Sequence, residues 1–109
     1  MQKLDDDSNR SKSSSIEKAS LLSEYINQNL IAFKYLRNRN YKIAMTSFEK
    51  SIDIAKDLDE IKHVESLTNF GVSQFFCGKF TDSYISLDKA REISNRLIEN
   101  YVNDKSIYM

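Results

Sequence analysis

A single histidine, His63, and a single cysteine, Cys77, are the side chains of this chain best suited to nucleophilic or metal chemistry, and they stand fourteen residues apart. A cysteine nucleophile needs an imidazole within hydrogen-bond reach and a third group to orient that imidazole. Zinc sites built on paired histidines, like oriented Cys–His dyads, have too few parts here. The chain is therefore expected to be no enzyme and to hold no metal or cofactor. His63 reads as a helix-surface residue and Cys77 as a buried free thiol.

Binding chemistry is better supplied. Glu65, Asn69, Val72 and Phe76 follow one another at steps of four, three and four, so a helix puts them on one stripe. Ile26, Leu30, Phe33 and Arg37 repeat that spacing, flanked by Asn29 and Leu36. The Asn69 amide can donate to a peptide carbonyl and accept from its N–H at once; capping a loop or facing solvent is its competing role. Phe33 and Phe76 read as apolar anchors or as core. Arg37 offers a charge to an acidic flank.

Four helices are predicted to carry these stripes. The first 13 residues hold only Leu4 as a sizeable apolar group and read as a flexible polar tail, after which Ser14 and Glu17 form the S-x-x-E capping box of a helix start. Ile16 to about Asn38 is apolar on more than one side, through Leu22, Tyr25, Ile26, Leu30, Ile31 and Phe33. A helix from about Tyr41 to Leu58 spaces Tyr41, Ala44, Met45, Phe48, Ile52 and Ala55 by three and four. A third, from about Glu60 to Cys77, carries Val64, Leu67, Phe70, Gly71 and Phe75, and a fourth runs from about Phe80 to Val102. The chain has no proline and only Gly71 and Gly78, whereas strand-rich domains need frequent Gly and Pro to turn. The fold is expected to be all-α, with residues 14–102 as one helical domain and 103–109 as a C-terminal tail or the start of a further helix.

Composition narrows the partners. Sixteen basic and sixteen acidic residues leave no net charge, so neither nucleic acid nor an anionic membrane has a field to attract the chain. No apolar run approaches the roughly 20 residues needed to span a bilayer, and the polar Met1–Ser15 is unlike a signal peptide. With one cysteine there is no disulfide framework, so a soluble, cytoplasmic protein is expected.

The chain also repeats itself. Laying Tyr41 on Phe80 puts Ala44 on Ser83, Phe48 on Leu87, Ser51 on Ala90, and Ile31-Ala32 on Phe70-Gly71, all at an offset of 39 residues. This pattern resembles the tetratricopeptide repeat (TPR), whose signature has a Leu-Gly pair on the first helix, an aromatic at the turn, then small, large and small residues on the second. The offset exceeds the roughly 34 residues of the standard repeat and resembles the long-repeat type. Lys56 and Asn95 stand where a proline often ends a repeat, and Gln74 stands where Tyr35 supplies an aromatic in the first half.

The resemblance implies two tandem antiparallel helix hairpins, about 16–58 and 60–102, in a fragment of a right-handed solenoid. It implies a non-catalytic module that holds a protein or peptide in a groove lined by the first helix of each repeat. The groove contacts would be Ile26, Asn29, Phe33, Leu36, Arg37, Glu65, Asn69, Val72 and Phe76. Similar adaptors that hold a C-terminal carboxylate place Lys and Asn where this chain has Asn29 and Phe33, so an apolar or helical ligand is expected instead. Arrays of this kind usually need about three or more repeats. Ile93, Leu97, Ile98 and Tyr101 continue the apolar pattern to the end of the last helix, so a longer array or a second copy is expected to cover that face, and self-association is the alternative role.

Overall fold

Apolar residues spaced by three and four, with no proline to interrupt them, give four helices in the computed structural model, α1 (Gln2–Arg37), α2 (Tyr41–Lys56), α3 (Glu60–Phe76) and α4 (Phe80–Ser106). It describes residues 2–106 and the side chains of residues 15–104, and no strand occurs among them. Each helix packs against its sequence neighbours, α1 on α2, α2 on α3 and α3 on α4, with no comparable packing of α1 on α4. The chain measures 58 × 39 × 19 Å, a thickness of about two helix diameters.

Two boundaries differ from the sequence reading. α1 does not start at Ser14 but runs unbroken from Gln2, through the stretch expected to be a tail. No glycine or proline breaks it before Arg37, and the polar residues there cost less than about 0.7 kcal/mol each in a helix, so a packed C-terminal half propagates upstream. α4 likewise continues past Val102 to Ser106, so residues 103–106 extend that helix and open no new one. Residues 107–109 of the expected tail lie outside the described residues.

The inner boundaries repeat almost bond for bond. After α1, Arg39 N–H donates to Leu36 C=O at 3.0 Å and Asn40 N–H to Tyr35 C=O at 2.9 Å; after α3, Gly78 N–H donates to Phe75 C=O at 3.0 Å and Lys79 N–H to Gln74 C=O at 2.9 Å. Both turns need a left-handed residue, Arg39 at φ 63° and Gly78 at φ 79°. Only glycine adopts that conformation freely; a side chain there costs about 1 kcal/mol. α3 is entered differently, through Asp59, whose carboxylate accepts the Lys62 N–H at 2.7 Å and Lys62 Nζ at 2.7 Å. Those bonds hold the Asp59 carboxyl below its ordinary value.

The core lies in two clusters joined by one ring. Ala32, Ala44 and Phe48 pack with Tyr35 and Leu36 between α1 and α2. Ile52, Leu67, Ala90 and Ile93 pack with Val64 and Leu97 among α2, α3 and α4. Phe70 on α3 touches both. Small polar groups fill the close approaches: Ser83 Oγ donates to Gly71 C=O at 2.7 Å, and Ser86 Oγ to Gln74 Oε1 at 2.7 Å. Gln74 is thus a buried polar partner, which explains why it replaces an aromatic.

At Gly71 α3 and α4 approach closely. A β-carbon there would lie 2.8 Å from Leu87 Cγ, 2.9 Å from Leu87 Cδ2 and 3.3 Å from Ser86 Cβ. Overpacking costs about 1–3 kcal/mol, against a helix-propensity gain of about 1 kcal/mol for Gly→Ala. Gly71→Ala is therefore expected to lose about 1 kcal/mol in urea unfolding. Unchanged or higher stability would show that Leu87 swings aside without cost.

Candidate partner-binding face

α1 and α3 both pack on α2, and they also meet each other directly at Tyr25. Tyr25 supplies the hydrogen bonds that join the two helices. Its hydroxyl donates to Glu65 Oε1 at 2.8 Å and lies 3.4 Å from Lys62 C=O. The ring is almost fully buried, and burial, then the Glu65 carboxylate, pushes the phenol up to about 12. Beside it Asn29 is nine-tenths buried, and its Oδ1 has no hydrogen-bond partner. Such an orphaned acceptor costs about 1–3 kcal/mol.

Beyond Tyr25 the two helices stay uncovered. Ile26, Leu30 and Phe33 on α1, and Val72 and Phe76 on α3, remain exposed although apolar. Phe33 meets Phe48 edge to face at 5.1 Å, and Phe76 stacks on Tyr41 at 5.1 Å with the rings 15° apart. Both aromatics are thus part anchored and part open, between the two roles their spacing allowed. Asn69 is half-buried and makes no side-chain hydrogen bond, while Arg37 and Glu65 face solvent.

Two expected contacts turn inward. Leu36 packs on the Ala32, Ala44 and Phe48 cluster, and Asn29 is buried beside Tyr25, because α1 packs on α2 and also meets α3 through Tyr25, which leaves its wheel less free surface. On α4, Ile93 is core, 8% exposed between Leu67 and Ala90, so it is no part of an open end. Leu97 is half-buried against the same cluster. Ile98 and Tyr101 are exposed, and Ile98 edges an apolar hollow of about 220 Å³ with Ile61, Val64 and Leu97.

Phe80, Tyr84 and Leu87 extend that exposure to the start of α4. Together with Arg91, Ser94, Ile98 and Tyr101 they form one stripe at alternating steps of four and three. On α2 the equivalent Phe48 and Ile52 lie under α3, against Phe70 and Leu67. The offset of 39 carries them to Leu87 and Arg91, which stand exposed.

Tyr25 and the α4 start were not singled out by spacing. Tyr25 carried a signal, a phenol one turn before Asn29 on the same wheel position; the α4 start needed the covering of α2 to be seen first.

His63 and Cys77 do not meet. They sit at opposite ends of α3, about 20 Å apart along its axis. His63 Nε2 is buried without a hydrogen bond, and burial, with Lys89 and Lys56 nearby, pushes the imidazole below its ordinary value. Among the described residues no helix is long and apolar enough to cross a membrane. The chain matches no family model, no curated protein and no solved structure.

Tyr25→Phe removes the α1–α3 link and is expected to cost about 1–2 kcal/mol. The phenol's folded value lies above its ordinary 10.0, so its contribution is complete below pH 10 and is lost as pH rises toward about 12. In ultraviolet titration the difference between wild type and Tyr25→Phe should ionise near 12; a difference ionising at 10 would mean that the phenol is neither buried nor held by Glu65.

Proposed function

We propose that this chain is a non-catalytic, TPR-like protein-interaction module whose α1/α3 face receives a peptide or helix from another protein. The observation that carries the reading is the combination on that face of exposed Ile26, Leu30, Phe33 and Val72 with the unpartnered Asn69 amide. Apolar side chains supply affinity without direction, and an amide beside them fixes the register of a bound backbone. The recurrence of both turns at an offset of 39 supports the repeat reading, with matching hydrogen bonds and matching positive φ. The lone thiol of Cys77 agrees with a cytoplasmic setting.

A photo-crosslinking residue at Leu30 or Val72 is expected to capture the partner in the source cell, and one at Asp53 on the outer side of α2 is not. Asn69→Ala should weaken the captured partner about tenfold, the loss of one well-made hydrogen bond, without altering stability. Capture at Asp53 alone, or full affinity in Asn69→Ala, defeats the reading.

A second reading has its own observation. The α4 stripe occupies the places that α3 covers on α2, and its apolar members Phe80, Tyr84, Leu87, Ile98 and Tyr101 are each more than a third exposed. A structural subunit that assembles through α4, by pairing with a second copy or within a longer array, would bury them. Pairing predicts that wild type sediments at twice its 12.7 kDa and that Tyr84→Glu with Ile98→Glu restores the single mass. Wild type at 12.7 kDa at every soluble concentration rules out pairing.

A further inference from the structure

We propose that the hollow between the start of α2 and the end of α3 is a binding site for a small aromatic phosphate. It measures about 440 Å³, within the roughly 300–1,000 Å³ of small-molecule sites. Tyr41 and Phe76 form one wall, and Met45 is part of the lining. The two rings lie 5.1 Å apart and 15° from parallel, yet Phe76 remains half exposed, so a planar ring can extend the stack. Arg39, Lys42 and Lys79 complete the charged part of the lining, and no carboxylate lines it.

The charge is local and uncompensated. The chain as a whole balances sixteen cations with sixteen anions, but none of the four ion pairs among the described residues involves Arg39, Lys42 or Lys79. Three cations exceed what one carboxylate neutralises, whereas a phosphate monoester carries about two negative charges at neutral pH. A guanidinium can grip two of its oxygens at once. A long polyanion does not fit the same chemistry, since the chain has no net positive charge.

Arg39 distinguishes the hollow from the turn that repeats it. Glycine fills the equivalent place in the second hairpin, at Gly78, with the same hydrogen bonds and the same sign of φ. The turn alone therefore does not call for an arginine. Arg39 lines the hollow, and the ligand accounts for its presence there.

This inference needs no protein partner and shares only Phe76 with the α1/α3 face. Its test is a ¹H–¹⁵N NMR titration of the full chain with three probes: inorganic phosphate, phenol and phenyl phosphate. Phenyl phosphate should shift the amides of residues 39–42 and 77–79 and bind at least about tenfold more tightly than either of the others, because it alone satisfies both ring and charge. Arg39→Gly should weaken phenyl phosphate about tenfold while leaving the fold at least as stable, since it restores the residue that the turn prefers. Lys79→Met should weaken it as well, and Lys50→Gln, on the outer face of α2, should not. The site is refuted if phenyl phosphate binds no better than inorganic phosphate, or if Arg39→Gly binds it as wild type does.

Discussion

Phe70 is the one side chain packed against both core clusters, and the arrangement of the other three helices follows from where it sits. On one side it closes the Ala32, Ala44 and Phe48 cluster between α1 and α2; on the other it joins Ile52 and Leu67, which lead to α4. Its neighbour Gly71 points to α4, where the absence of a β-carbon lets Leu87 and Ser86 approach. Two consecutive residues in the middle of α3 thus set both of its interfaces, one by filling space and the other by leaving it. A large ring at 71 would push α4 away, and a small residue at 70 would separate the two clusters.

A fold about two helices thick has a cost in uncovered surface. Each helix packs mainly on its sequence neighbours, so α1 and α4 each have a side that nothing in the described chain covers. Soluble monomers seldom leave broad apolar patches open, and those that do mark interaction sites. Two groups of exposed apolar side chains share a face: Ile26, Leu30 and Phe33 with Val72 on the α1/α3 side, and Tyr84, Leu87, Ile98 and Tyr101 on α4. The first group has Asn69 beside it and the Tyr25–Glu65 bond beneath it; the second is interrupted by Ser94 and by Arg91, which Asp88 already engages at 2.8 Å. A face with unused hydrogen-bonding groups suits an irregular ligand, and a face of apolar residues at heptad spacing suits another helix.

The helix count and three of the four starts were legible because local chemistry fixes them. Asp59 caps α3, and the turns at Arg39 and Gly78 close α1 and α3 by bonds within six residues. The start of α1 was misplaced because a capping box is only a preference, and no breaker stood upstream to enforce it. Spacing also sorted residues correctly into stripes, yet it could not say what covers a stripe. Asn29, Leu36 and Ile93 share faces with exposed residues and are nevertheless inside, because burial depends on which neighbour arrives and at what angle. The hollow beside Tyr41 had no linear signature at all, for its lining comes from residues 39–45 and 76–79, brought together only when α3 returns to the start of α2.

Internal repetition gives the chain its own control experiment. Where two positions 39 residues apart share a backbone but differ in side chain, the backbone conformation cannot be what requires the difference. Gly71 against Ala32 is a packing difference, since Ala32 is fully buried and tolerated between α1 and α2 while Gly71 faces Leu87 at closer range. Gln74 against Tyr35 is a hydrogen-bonding difference, answered by Ser86. Arg39 against Gly78 has neither answer: the arginine is exposed, joins no ion pair and occupies a conformation that glycine adopts more cheaply. Among these three pairs it alone lacks an intramolecular reason, and that puts the reason outside the chain, in whatever meets the surface at the start of α2.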